Sequence, residues 1–237
     1  IMIDAKKSLG QNFLVDKNII KKIVNLVEIK NNNVIEIGPG KGALTEEILK
    51  AKPKFLSLIE KDKQFINDLK NRFDRNKYVQ VFGEDILKFN LEGKIKKNTI
   101  IFGNLPYNIS SQILIKFLRF KAWPPKFSHL ILMFQKELGE KIIGKFSTSN
   151  YGRLSILAGY RLELQKKFMV SNNCFLPRPK VKSIVLHLKP KKKNSFLIKN
   201  IYNLEKITNT LFSNKRKMIN KNIKKILALS EIQQIDE

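Results

Sequence analysis

Short apolar runs rich in β-branched and aromatic residues, Asn33–Ile37, Phe55–Ile59, Tyr78–Phe82 and Thr99–Phe102, recur through the first half of the chain and are separated by helical patterns. Strands that alternate with helices demand a parallel sheet, because joining two parallel strands takes a crossover that no hairpin supplies. Runs this short and this apolar suit strands buried on both faces. Helical spacing of Ile19, Ile20, Ile23, Val24 and Val27 behind Asp16 predicts a helix before the first run. Leu44, Ile48 and Leu49 follow it, Phe65, Ile66, Leu69 and Phe73 behind Asp62 follow the second, and Ile113, Leu114, Phe117 and Leu118 behind Ser110 or Ser111 follow the fourth. Three later runs, His129–Phe134, Leu162–Val170 and Ile184–Leu188, bring the strand count to seven. The expectation is an α/β fold with a seven-stranded sheet.

Open α/β sheets bind ligands outside the carboxyl ends of their strands, so the strand ends carry the functional reading. The first run ends in Gly38-Pro39-Gly40-Lys41-Gly42, where glycines allow a sharp turn and close approach to a ligand, with a helix N-terminus behind. The second ends in Glu60, 20 residues beyond Gly40 and placed to accept hydrogen bonds from ribose hydroxyls. Together they point to a nucleoside cofactor, either NAD or S-adenosylmethionine. The spacing departs from the G-x-G-x-x-G that dinucleotide sites prefer. The third run leads to Asp85, which is either an acceptor for an adenine amino group or a helix N-cap.

The fourth run ends in Asn104-Leu105-Pro106-Tyr107-Asn108-Ile109-Ser110. Taken alone, the tetrapeptide Asn104 to Tyr107 reads as an ordinary loop; in the context of the other strand ends it suits methylation of an exocyclic amine. An adenine N6 is a poor nucleophile because its lone pair is delocalised into the ring, so a site must orient it and draw off that delocalisation. The Asn104 side-chain oxygen and the Leu105 carbonyl, held by the fixed φ of Pro106, suit the two N6 hydrogens, and Tyr107 offers a π-face for the base. Such a site needs no metal and no general base, since aligning nitrogen and methyl supplies the rate.

With 46 Lys and Arg against 20 Asp and Glu, the formal net charge of +26 makes a polyanion the expected partner. The excess of Lys over Arg fits an AT-biased genome, but that bias does not account for the deficit of acids. No apolar run approaches a membrane span and the N-terminus is no signal peptide, which favours nucleic acid over lipid. One cysteine, Cys174, excludes an internal disulfide and suits a cytoplasmic location. His129 and His187 show no metal spacing and read as packed residues. Near the N-terminus Asn12, Phe13 and Leu14, after the basic Lys6–Gln11, either pack the chain down or line a ligand site. Cys174 to Ser183 is a rigid, extended, basic loop in which Phe175 is either a core residue or an exposed platform for a base, and the flanking prolines and cations favour the platform. Lys189–Lys193 marks a boundary between a domain of residues 1–188 and a basic helical domain of residues 189–237. The latter shows Ile207, Leu211 and Phe212, then Lys215-Arg216-Lys217, then Met218, Ile219, Ile223, Ile226 and Leu227, before a polar tail, Ser230–Glu237.

Gly10-Gln-Asn-Phe-Leu14, Glu36-Ile-Gly-Pro-Gly40, Asn104-Leu-Pro-Tyr-Asn-Ile-Ser110, Gln135-Lys-Glu137, Tyr151-Gly-Arg-Leu-Ser155 and the Phe175-x-Pro-x-Pro-Lys-Val181 loop, in this order, closely resemble the KsgA-type small-subunit ribosomal RNA adenine dimethyltransferases. The resemblance implies a Rossmann-like, S-adenosylmethionine-dependent methyltransferase sheet with one antiparallel strand and a small C-terminal helical domain, here shorter than usual. It implies that Asn12, Leu14, Gly38, Gly40, Glu60, Asp85 and Asn104 contact S-adenosylmethionine. It also implies that Asn104 to Tyr107 and Phe175 hold a flipped adenine. The expected activity is dimethylation of N6 on two adjacent adenosines in the 3′-terminal hairpin of small-subunit rRNA during subunit biogenesis, by a cytoplasmic monomer with no metal. Three rival readings are an Erm-type enzyme acting on large-subunit rRNA, a non-catalytic assembly factor and, more distantly, an NAD-linked oxidoreductase.

Overall fold

The computed structural model describes residues 12–192, 198 and 200–212. Lys6–Gln11, Lys193, Lys215–Lys217, the pattern from Met218 to Leu227 and the tail Ser230–Glu237 lie outside the described residues. In chain order the elements are β1 (Phe13–Leu14), α1 (Lys17–Val24), β2 (Asn33–Ile37), α2 (Ala43–Lys50), β3 (Phe55–Glu60), α3 (Lys63–Phe73), β4 (Val79–Gly83), α4 (Leu91–Lys94), β5 (Thr99–Asn104) and α5 (Ser110–Leu118). They continue with β6 (Phe127–Gln135), α6 (Lys136–Ile142), α7 (Arg153–Arg161), β7 (Leu162–Val170), β8 (Phe175–Leu176), β9 (Ser183–Pro190) and α8 (Ile201–Phe212).

Seven strands form one sheet in the order β4-β3-β2-β5-β6-β9-β7. The pairs from β4 to β6 are parallel, and β9 is antiparallel to both its neighbours, so the expected sheet with one antiparallel strand is what forms. From β2 the chain builds outward to β3 and β4, then returns to place β5 and β6 on β2's other side. That reversal makes β2 and β5 the switch point, where crossovers leave a crevice outside the carboxyl ends. Their register pairs Ile37 with Gly103, which puts Gly38 beside Asn104.

Alternation along the strands divides the core into two layers. On one face Ile35, Ile37, Ile101, Leu130, Leu132 and Phe134 pack with Phe117 of α5 and Leu157 of α7. On the other, Val34, Leu58, Ile100, Phe102 and Met133 pack with Ile20 and Ile23 of α1, Ile48 of α2, and Phe65 and Leu69 of α3. Asp16 caps α1 through Oδ1, which accepts from the N–H groups of Asn18 and Ile19 at 2.9 and 3.0 Å, and Asp62 caps α3 at Gln64 N. The serine cap expected for α5 does not form. Ile109 holds the N-cap position, and Ser110, the first helical residue, turns its Oγ back to the Tyr107 carbonyl at 3.1 Å. The short helix α4, whose four residues are too few to show periodicity, is a further departure from the sequence reading.

His129 and His187 meet within the sheet, Nδ1 to Nε2 at 2.8 Å, as packed residues. The last strand runs on to Pro190, and α8 lies on α7 with Ile201 in the core. Glu205 ties α8 to α7 by accepting from Arg153, and to the end of α5 by accepting from Arg119. Among the described residues no helix is long and apolar enough to cross a membrane.

Candidate active site

The carboxyl ends of β2, β3, β4 and β5 open into one cavity. Of the residues singled out in the sequence, Asn12, Leu14, Gly38, Gly40, Glu60, Asp85, Asn104, Leu105, Pro106 and Tyr107 all line it. Phe175 does not.

The floor is the turn after β2. Gly38 and Gly40 have φ of 67° and 53°, a region that side chains disfavour. A Cβ on Gly40 would lie 3.1 Å from the Phe13 ring, so both backbone conformation and space reserve this position for glycine. The turn is held by Glu60 at the end of β3, whose Oε2 accepts from Gly40 N at 3.1 Å while Oε1 accepts from the N–H groups of Lys61 and Asp62 at 2.8 and 2.9 Å. Burial raises the Glu60 pKa, and the three backbone donors work against that rise. Two carboxylate oxygens have about four acceptor positions between them and three are taken, so capacity remains for one ribose hydroxyl.

Asp85 takes neither sequence reading alone. Its Oδ1 accepts from Leu87 N at 3.0 Å, closing a turn that precedes no regular helix until α4, and its Oδ2 accepts from Lys61 Nζ at 2.7 Å. The Lys61 hydrogen bond lowers its pKa and keeps the carboxylate ionised. Lys61 is thus a pocket residue that the sequence reading missed, and its place directly after Glu60 was the available signal.

Glu36 is the other residue missed. It stands one residue from the end of β2, is 1% exposed and accepts from Thr45 Oγ1 of α2 at 2.6 Å. Burial pushes its carboxyl up to about 8, partly opposed by Thr45 and reinforced by Glu60. A lone charge inside the apolar run Asn33–Ile37 was the signal for it.

At the end of β5, Asn104 Nδ2 donates to the carbonyl of Asn12 at 2.9 Å, linking the site to the chain just before β1. This fixes the amide with Oδ1 as an open acceptor. Neither that oxygen nor the Leu105 carbonyl accepts a hydrogen bond among the described residues. Leu105 is buried at 1% exposure, which anchors the loop from below. Tyr107 is fixed at its rim by a 2.5 Å hydrogen bond between its hydroxyl and Ser183 Oγ, and burial raises its pKa.

Phe175 corrects the sequence reading: it is a core residue and no exposed platform. It is 3% exposed and packs with Leu14 and Val170. β8 pairs antiparallel with β1, Leu14 opposite Phe175 and Phe13 opposite Leu176. Side chains alternate across that ribbon, so burying Phe175 turns Leu176 outward to 62% exposure. His129 and His187 stand outside the cavity, and among the described residues no group of three or more His, Cys, Asp or Glu is arranged to hold a metal.

A family model described as ribosomal RNA adenine dimethylase matches residues 2–237. The chain belongs to the ribosomal RNA adenine dimethylase family. Among relatives, the ribosomal RNA small subunit methyltransferase A of Pelagibacter ubique is 46% identical over 221 residues, covering 93% of this chain and 83% of that protein. The crystal structure of a dimethyladenosine transferase from Plasmodium falciparum superposes with a TM-score of 0.78 at 31% identity, covering 94% of this chain and 78% of the other. The 23S rRNA methyltransferase ErmE shares the fold with a TM-score of 0.71 at 22% identity, covering 90% of this chain and 84% of the other.

Proposed function

We propose that this protein transfers methyl groups from S-adenosylmethionine to N6 of two adjacent adenosines in the 3′-terminal hairpin of small-subunit rRNA, giving N6,N6-dimethyladenosine during subunit biogenesis. Membership of the adenine dimethylase family and 46% identity to a small-subunit methyltransferase support the reaction and the RNA. The observation that carries the chemistry is the Asn104 amide, whose nitrogen is tied to Asn12 so that Oδ1 stands open one residue from the Leu105 carbonyl. Two acceptors on one side of a bound N6 take its two hydrogens and restore lone-pair density to the nitrogen.

The donor set fits a purine nucleoside cofactor. Glu60 has acceptor capacity for a ribose hydroxyl, the ionised Asp85 suits an adenine amino group, and Gly38 and Gly40 leave the backbone bare beside Asn104. When bound, S-adenosylmethionine supplies an electrophilic methyl. The protein's part is to orient N6, to stack the base on Tyr107 and to exclude water, all of which is positional catalysis and requires no base with a tuned pKa. Phe175 enters this reading as a positioning residue: through its pair with Leu14 it holds β1, and with it Asn12, against Asn104. Residues 189–237 are read as a small basic helical domain that helps seat the subunit, and the enzyme as a cytoplasmic monomer.

Incubating the purified protein and S-adenosylmethionine with undermethylated small subunits, and with large-subunit rRNA in parallel, and then quantifying nucleosides by mass spectrometry tests the proposal. N6,N6-dimethyladenosine from the small subunit alone is the expected result. Product from the large-subunit RNA alone would replace this substrate with an Erm-type one. No product from either, with small subunits still bound, would leave a non-catalytic assembly factor.

A further inference from the structure

Outside the pocket, the outer sheet strand β7 and helix α1 enclose a groove lined by Lys22, Asn25, Leu26, Lys166, Lys167 and Phe168. Three of its six residues are lysines and none is an acid, while Lys22 Nζ sits 4.3 Å above the Phe168 ring. None of the three lysines belongs to an ion pair among the described residues. The whole of α1 carries three lysines and no acid. Along β7 the side chains alternate, so Lys166 shares the α1 face with Phe168 while Lys167 projects to the sheet's other face. Lys22 and Lys166, cations on one concavity without counter-charge, repel one another in the free protein, and a polyanion seated between them relieves that repulsion.

Both walls lead to the pocket. α1 begins directly after the Asn12–Leu14 segment that lines it. β7 ends at Val170, opposite Ser183, whose hydroxyl bonds Tyr107; Phe168 lies two residues, about 7 Å, before that end. We infer that this groove seats the sugar-phosphate backbone of an rRNA segment flanking the target adenine, a second RNA contact beyond the base pocket. The inference rests on the rRNA reading above. It competes with a plainer role for Lys166 and Lys167, since lysines beside a bulge on an outer strand also keep that edge from pairing with another chain.

Charge reversal separates the two, because glutamate guards an edge as well as lysine does but repels phosphate. The Lys22→Glu/Lys166→Glu variant and its parent are titrated with undermethylated small subunits across a range of salt, alongside Lys22→Gln/Lys166→Gln, which removes charge without reversing it. The expected result is a log–log salt slope shallower by about 1.4–1.8 in both variants, with apparent KM for subunits raised at least ~10-fold at low salt in the Glu variant. Melting temperature and S-adenosylmethionine affinity stay at the parent's values. A parental salt slope in either folded variant, with the parent itself active, overturns the groove and leaves edge protection. A parent that neither binds nor methylates small subunits overturns the rRNA reading, and the groove with it.

Discussion

Replacing Glu36 by glutamine isolates a carboxyl that the fold keeps from ionising. Its pKa rises from 4.5 to about 8 because the side chain is buried beside α2 with a single hydroxyl donor, Thr45, while Glu60 pushes the same way as burial. A group whose folded pKa lies above its unfolded value holds its proton more tightly in the native state. Its contribution to stability is therefore complete below about pH 4.5 and is lost as pH rises through about 8. Each pH unit inside that window is worth about 1.4 kcal/mol, so roughly 3 kcal/mol has gone by pH 7 and roughly 5 kcal/mol by pH 9. Glutamine keeps an oxygen for Thr45 and has no charge to bury.

Glu36→Gln is accordingly expected to match the parent near pH 4.5 and to exceed it by about 3 kcal/mol at pH 7, a rise in Tm of about 6–12 °C for a chain this size. Urea unfolding followed by circular dichroism at half-unit steps of pH reads the difference between the two proteins. The difference is the right quantity, because His187 runs the other way. Burial holds its pKa down to about 4, so its contribution is absent below that pH and complete only above the ordinary histidine value near 6.5. Subtraction removes this shared term. Parallel pH profiles for parent and variant would refute the reasoning, since they would mean that Glu36 titrates in the native protein as it does in the unfolded chain.

Asn104→Ala is expected to melt like the parent yet lose turnover by at least ~100-fold, because N6 would lose its orienting acceptor; normal turnover would remove Asn104 from the site. Tyr107→Phe keeps the ring and loses only the hydroxyl bonded to Ser183, so it should cost about 1 kcal/mol of stability with turnover within a few-fold, while Tyr107→Ala should also weaken subunit binding. Equal damage from both changes would assign the role to the hydroxyl. Gly40→Ala forces a side chain into a φ of 53° and against Phe13, and calorimetry should show S-adenosylmethionine affinity lower by about tenfold. Unchanged affinity would mean that β1 shifts aside freely.

The parallel half of the sheet was legible because each of its strands is a short, mostly apolar run and each ends in or beside a glycine or polar residue. Those are local signals, and they placed Gly38, Glu60, Asp85 and Asn104 at strand ends with no knowledge of which strands are neighbours. What was not legible depends on partners far along the chain. The orientation of Phe175 is decided by pairing with Leu14 across most of the sequence, and the free oxygen of Asn104 by a bond to a residue 92 positions away. Prolines and lysines around Phe175 suggested exposure, but they describe the loop on either side of a two-residue strand whose alternation puts one residue in and the next one out.

Glu36 joins the two kinds of information. Its charge was visible inside an apolar run, yet its meaning comes from register. β2 pairs Ile37 with Ile59 on one side and Gly103 on the other, and a slip of one residue would turn Glu36 into the opposite layer, away from Thr45, and carry Gly38 away from Asn104. The isoleucines and valine of β2 face two different sets of helices, so such a slip would also exchange both layers of packing at once. The site therefore needs no interactions of its own to bring its four strand ends together. The core that fixes the register of β2 fixes the site.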